Sequence, residues 1–296
     1  MIYRAFNTRI PFRPLSINLL TRNIQFDMNK KIKVCVAGAT GWAASELCKG
    51  IVLTDDLEIV AAVSRKNAGE DLDKLLKLNM KKKIPVFATI EEALNIPCDV
   101  MVEYTSPGIA KHHTISALHK GVSVVIATSG LSDNDYEQIQ TAADQQKKSV
   151  LAVGNFAISV VLLNHFAEIA ARFMPHWEII DYAKHNKVDA PSGSALELAN
   201  RLSKVSESTK EVSIENTVGI KETRGADING MQVHSVRLPG FVISLEAIFG
   251  IEDEKLILKH DAGNSAKPYV GGALLAIRKV NSFTGLKRGL DSVMDF

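Results

Sequence analysis

The sequence predicts a two-part α/β protein: an N-terminal doubly wound parallel sheet of the Rossmann type, then a central α+β domain on a mixed sheet. Three observations carry that expectation. Short Val- and Ile-rich runs alternate with helical segments over the first half of the chain, as βαβ units do. A glycine-bearing turn joins the first such run to the helix after it. From about Asn155 the alternation stops, and strand-like runs follow one another across short turns.

Lys31 to Ala37 (KIKVCVA) is a short apolar run ending at Gly38, the pattern of a buried parallel strand. Helical spacing follows from Ser45 to Thr54, then a second strand at Leu57 to Val63 and a later one at Val100 to Tyr104. Ile109 to Lys120 forms an amphipathic helix leading to the strand Ser123 to Ala127. In the second half, a helix at Val160 to Phe173 precedes the strand Trp177 to Ala183, and another helix begins near Ala195. Strand-like runs then occupy Gln232 to Leu238, Val242 to Phe249 and Lys255 to Lys259. The short turns between them, Leu238-Pro239-Gly240 and Ile251 to Glu254, predict a mostly antiparallel sheet. Tyr269 to Val280 is a last apolar helix suited to pack back on the first domain.

At 296 residues there is room for two cores. A net charge of +2 supplies no basic field, which argues against nucleic acid as a partner. No apolar stretch reaches the roughly 20 residues of a membrane span. Cys35, Cys48 and Cys98 lack CxxC spacing and His-rich surroundings, so neither a disulfide framework nor a zinc site is expected, and a cytoplasmic location is. Residues 1–27 differ: Arg4, Arg9, Arg13 and Arg22 punctuate an apolar segment whose one acid is Asp27. Two readings stay open, an organellar transit peptide or an upstream start with Met28 opening the protein proper. Either way the extension is set apart from the fold.

Gly38-Ala39-Thr40-Gly41-Trp42-Ala43-Ala44 matches G-x-x-G-x-x-A between a strand and a helix. Gly38 permits a tight turn, Gly41 lets the backbone approach a pyrophosphate, and Ala44 allows close helix–strand packing. The amides at the helix start, with Thr40, Trp42 and Ala43 around them, then face the phosphates. An acid at the end of the second strand would bond ribose hydroxyls. The chain has Ser64-Arg65-Lys66 instead, which suits a 2′-phosphate and predicts NADPH over NADH. A tight turn without ligand and a solvated basic loop are the plainer alternatives.

Lys187-Val188-Asp189-Ala190-Pro191-Ser192-Gly193-Ser194-Ala195 opens the next helix. Ser194 with Glu197 has capping-box spacing. Amides around Gly193 and Ser194, with the charge of Lys187, would make a carboxylate-binding corner. An ordinary capped helix has the same spacing.

This run resembles K-x-D-x-P-S-G-T-A, the signature of the 4-hydroxy-tetrahydrodipicolinate (dihydrodipicolinate) reductases. Further resemblance lies in Tyr104-Thr105-Ser106-Pro107, Ala127-Thr128-Ser129-Gly130, Asn155-Phe156, His234 to Gly240, Glu246 and Gly272 to Ala276, so that it spans Lys31 to Phe296. It implies a homotetramer with a dinucleotide-binding domain from 28–154 and 267–296, and a substrate and tetramerisation domain from 155–266. The implied reaction is NADPH- or NADH-dependent reduction of a cyclic α,β-unsaturated imine carboxylate on the way to diaminopimelate and lysine. By position, Lys187 would be catalytic and would hold a substrate carboxylate with Lys184, Gly193 and Ser194. Gly38, Thr40, Gly41, Trp42, Ala43, Ser64, Arg65, Lys66, Tyr104, Ala127, Ser129, Asn155 and Phe156 would line the cofactor.

One departure bears on the chemistry. The family's catalytic strand ends H-H-x-x-K, and here it reads Ala183-Lys184-His185-Asn186-Lys187. Ala183 stands where the resemblance places a proton-donating histidine, and general acids contribute roughly 10²–10⁴-fold. His185 would share a face with Ala183 on a continued strand, but displaced by about 6–7 Å. Three readings follow: a reductase of the lysine route, a divergent paralogue reducing another carboxylated imine, or an inactive dinucleotide-binding regulatory subunit.

Overall fold

The computed structural model describes residues 31–80 and 82–296; the extension 1–27 lies outside them. β1 (Ile32–Ala37), α1 (Trp42–Val52) and β2 (Leu57–Val63) form the first βαβ unit, with β1 and β2 parallel. The sheet continues through α2 (Leu72–Leu76), β3 (Val86–Phe87), α3 (Ile90–Ala93), β4 (Val100–Glu103), α4 (Pro107–His119) and β5 (Ser123–Ile126). α5 (Asp133–Gln146) and β6 (Ser149–Ala152) follow. The second half comprises α6 (Ile158–Ala170), β7 (His176–Ala183), α7 (Gly193–Leu202), β8 (Ala226–Ile228), β9 (Met231–Arg237), β10 (Ile243–Ile251), β11 (Glu254–Ala262), α8 (Lys267–Lys279) and β12 (Gly285–Arg288).

The first sheet runs β12-β6-β5-β4-β1-β2-β3, with every pairing parallel. Its central strands are buried on both faces, which explains why they read as unbroken Val/Ile runs. Two apolar clusters flank it, one containing α1 and α8, the other α3, α4 and α5. The chain end returns to this sheet. β12 pairs with β6, α8 packs on α1, and Arg278 of α8 grips Asp56 through Nε (2.7 Å) and Nη2 (2.8 Å).

The second sheet runs β11-β10-β7-β9-β8. Its pairings are antiparallel except β7 with β9, so the sheet is mixed. α6 and α7 cover one face through Leu163, Ala167, Leu198 and Leu202, packed on Trp177, Ile179, Val233, Ala247 and Phe249.

Several boundaries differ from the sequence expectation. α1 starts at Trp42 rather than near Ser45, directly behind the glycine turn. α7 starts at Gly193, and its N-cap is Ser192, whose Oγ accepts from the amide of Ala195 at 3.3 Å. Ser194 is therefore not the cap. Glu197 turns to Arg201 (3.3 Å) instead of closing a capping box.

Candidate active site

The turn after β1 is built for close backbone approach. Gly38 has φ +78°, and a Cβ there would lie 2.5 Å from the carbonyl oxygen of Tyr104, so the position requires glycine. Its carbonyl accepts from the amide of Gly41 at 2.9 Å. The first α1 bond runs from Ser45 N to Gly41 O (2.9 Å), leaving the amides of Trp42, Ala43 and Ala44 without helix partners. No side chain caps this end and no acid stands in its first turn. A free positive helix end of this kind fits a pyrophosphate.

The same turn is tied to the end of β2. Thr40 Oγ1 lies 2.9 Å from Ser64 Oγ, and Ser64 also donates to Asn67 Oδ1 at 3.1 Å. Arg65 and Lys66 follow in an exposed 3-10 turn, next to Ser64 and hence to the glycine turn.

The ends of β4 and β5 form the other wall. The amide of Tyr104 donates to Ala37 O (3.0 Å) and that of Ala127 to Glu103 O (2.9 Å), stepping these residues and Ser129 across the sheet end. Burial pushes the Tyr104 phenol well above its ordinary range, helped by nearby Cys48 and Tyr269, so it stays protonated. Beneath them lies a group that sequence reasoning missed. Glu103 is fully buried, and its carboxylate accepts from Thr105 N (2.7 Å) and from the Thr105 hydroxyl. It also faces His113 Nδ1 at 2.7 Å and accepts from Thr128 Oγ1 at 3.5 Å. An acid closing a buried strand was the available signal.

Phe156 sits 6.1 Å from Tyr104 between ring centres. Asn155 accepts from Ala157 N at 2.9 Å and donates from Nδ2 to Ser194 Oγ at 3.4 Å, linking this wall to α7. Beyond α7, a second missed group shapes the loop from residue 184 to 192. Asp181, 1% exposed, accepts from Ser192 N (2.8 Å) and Arg237 Nη2 (2.6 Å). The same Nη2 donates to Asp189 O at 2.8 Å. The Asp181–Arg237 pair thus staples the second half of the loop to the second sheet. Its signal was an aspartate inside a strand, between Ile180 and Tyr182.

At the start of α7 a Cβ on Gly193 would meet nothing within 4 Å, so open space faces the helix end. Lys187 is half-buried and ion-paired with Asp189 at 2.6 Å, which holds the Asp189 carboxyl below its ordinary range. Lys184 is exposed.

A cavity of about 260 Å³ brings together Trp42 from the glycine turn, Lys184 and Lys187 from the loop, Ile243, and Tyr269 from α8, whereas Ser129 lines a separate cavity with Arg201 and Arg288. A narrower recess of about 50 Å³ adjoins the first, lined by Asn155, Ser192, Ser194 and His260, with Ile243 and Tyr269 shared. A larger cavity of about 420 Å³ around Glu178 and Arg224 includes none of the expected site residues. Ala183 and His185 line neither cleft cavity, and β7 ends at Ala183, so His185 is not on the strand. Among the described residues, no group of three or more His, Cys, Asp or Glu side chains gathers as metal ligands.

Two family profiles cover the described chain: dihydrodipicolinate reductase, N-terminus, over residues 32–156, and dihydrodipicolinate reductase, C-terminus, over residues 159–294. The 4-hydroxy-tetrahydrodipicolinate reductase of Bacillus pumilus is 34% identical over 268 residues, 90% of this chain and 99% of the relative. That of Desulfitobacterium hafniense is 35% identical, covering 90% of this chain and all of the relative. Among solved structures, the dipicolinate-bound dihydrodipicolinate reductase from Paenisporosarcina sp. TG-14 superposes with a TM-score of 0.81. It is 30% identical, and the match covers 89% of this chain and 100% of that one.

Proposed function

Since the chain belongs to the dihydrodipicolinate reductase family, we propose that it reduces 4-hydroxy-tetrahydrodipicolinate to tetrahydrodipicolinate, with NADPH preferred over NADH, in the cleft between its two sheets. It is an oxidoreductase of the diaminopimelate and lysine route that uses a nicotinamide dinucleotide. The observation that carries the site assignment is the shared cavity, in which Trp42 of the glycine turn and Lys187 of the substrate loop line one space.

In this reading the α1 amides behind Gly38 and Gly41 hold the pyrophosphate, and Arg65 with Lys66 takes the 2′-phosphate. Tyr104, Ala127, Ser129, Asn155 and Phe156 form the wall against the nicotinamide, which when bound supplies a hydride. Lys187 would exchange Asp189 for a substrate carboxylate, and the amides of Gly193 and Ser194 would bind it at the end of α7. Lys184 adds attraction from the rim. Residues 28–154 and 267–296 serve the dinucleotide, 155–266 the substrate.

The same reading makes the protein a cytoplasmic homotetramer. In its favour, no described α-helix covers the second face of the second sheet, and edge strand β11 leaves Leu256 and Ile257 exposed at 39% and 44%. Rescue of a diaminopimelate auxotroph by this chain is the expected outcome, and failure of a well-expressed chain to rescue would refute the assignment. The buried Ala183 favours, as a second reading, a different carboxylated cyclic imine; NADPH oxidation with a panel of such imines separates the two.

A further inference from the structure

The structure closes the position that the resemblance gives to a proton-donating histidine. Ala183 is 1% exposed, and its register neighbours are Ile243 on β10 and Arg237 on β9. Conjugate reduction still consumes one proton for each hydride, so another group on the cleft must deliver it.

Four titratable side chains line the two recesses: Lys184, Lys187, His260 and Tyr269. Lys187 is committed to Asp189 at 2.6 Å and, in the proposed reading, to a carboxylate. His260 has Nδ1 at 2.9 Å from Ser159 Oγ, and burial lowers its pKa, which keeps the ring uncharged and a weak acid. Lys184 is exposed, lines only the larger recess and, in the proposed reading, attracts a carboxylate. Tyr269 differs from all three. It lies in the first turn of α8 and lines both recesses. Its ring meets Trp42 edge to face at 6.1 Å, which sets it against the glycine turn. Among the described residues its hydroxyl has no hydrogen-bond partner and is not a buried orphan, so the O–H is free for the cleft.

We propose that the Tyr269 hydroxyl is the proton donor of the reduction, in place of the histidine absent at Ala183; the inference rests on the reductase reading above. 4-Hydroxy-tetrahydrodipicolinate first loses its hydroxyl as water, together with a hydrogen of the carbon next to the imine carbon, which leaves the α,β-unsaturated imine. Hydride addition to its β-carbon moves the C=C pair between the α-carbon and the imine carbon, and the C=N pair onto nitrogen. As that nitrogen pair re-forms the C=N bond, the α-carbon takes the proton from Tyr269 Oη. The O–H pair stays on oxygen, and the phenolate regains a proton from water at the open side of the cleft. Overall one water leaves, one hydride and one proton enter, and the C=C bond opened by the loss of water becomes single.

Tyr269→Phe keeps the ring and its contact with Trp42, so the fold and the cofactor site persist. Turnover with NADPH and freshly generated 4-hydroxy-tetrahydrodipicolinate should fall by roughly 10²–10⁴-fold, with KM and the NADPH dissociation constant from fluorescence titration unchanged. In wild type labelled with [ζ-¹³C]tyrosine, the resonance missing from Tyr269→Phe should shift on adding pyridine-2,6-dicarboxylate. A variant as fast as an active wild type, or a Tyr269 resonance unmoved by the dicarboxylate, overturns the assignment of Tyr269 alone. A wild type that binds NADPH but never oxidises it with this substrate removes the reductase reading, and the donor assignment with it.

Discussion

In the proposed reading Arg65 sets the cofactor preference, because it follows Ser64, which is tied to Thr40 of the glycine turn. Bonds to charged groups are worth about 1.5–3 kcal/mol, so Arg65→Ala should raise the NADPH dissociation constant roughly ten- to a hundredfold and leave NADH nearly unchanged. Equal weakening of both would place Arg65 away from the 2′-phosphate. Lys187→Ala should abolish most turnover while NADPH titration stays normal. Ala183 behaves differently from what its sequence position invites. Restoring a histidine there looks like a gain of a general acid, but the methyl group is enclosed between β9 and β10. Overpacking costs on the order of 1–3 kcal/mol, so Ala183→His should lower the melting temperature and add no turnover. A faster enzyme would show that the strand end opens to the cleft. The residues legible beforehand were those with a motif around them: Gly38, Gly41, Lys187 and Gly193. Asp181, Arg237 and Glu103 were not, since a buried ion pair across strands β7 and β9, 56 positions apart in the chain, has no local spacing to betray it.

Among the elements, α7 carries most of the proposed substrate corner. Its cap is Ser192, and the cap residue's own amide is held by Asp181. Ser192→Ala should cost about 1 kcal/mol and also weaken substrate binding. Asp181→Asn should be worse, on the order of 3–5 kcal/mol, because it leaves the Arg237 charge without its partner. Equal stability of the two variants in denaturant unfolding would mean that the staple does not hold the loop. α8 is tied to the segment before β2 by Asp56 and Arg278. Arg278 holds the Asp56 carboxyl below its ordinary range, so the pair contributes above the unfolded value near ~3.9. That contribution is lost as pH falls through the lower folded value. Wild type should therefore exceed Arg278→Met in stability at pH 6, and the gap should close under strong acid. Strongly apolar elements were read from sequence, β1, β2, β4 and β5 among them. α5 was missed because it buries only Ile139, Ala142 and Ala143 along a polar helix, and β6 and β12 because four residues show no period.

At the scale of the whole molecule, the proposed function depends on the chain crossing between its two sheets and returning. β12 and α8 rebuild the first sheet's flank after the second sheet is complete, which brings Tyr269 to Trp42 and closes the cleft. Arg201 of α7 reaches Asp291 in the returning segment (2.9 Å) and Glu168 of α6 (3.0 Å), fastening α7 to the chain end. The two-part architecture was legible because strand–helix alternation and its loss are properties of long stretches. The site's assembly was not, since it depends on where the last thirty residues pack. Light scattering should give four times the chain mass, the outcome expected of the homotetramer proposed above. One coupled assay reads the reaction itself: 4-hydroxy-tetrahydrodipicolinate is generated in the cuvette and NADPH absorbance is followed. The reductase activity proposed for this chain requires NADPH oxidation in proportion to the substrate formed, lost in Lys187→Ala. No oxidation by a folded wild type that binds NADPH would contradict it.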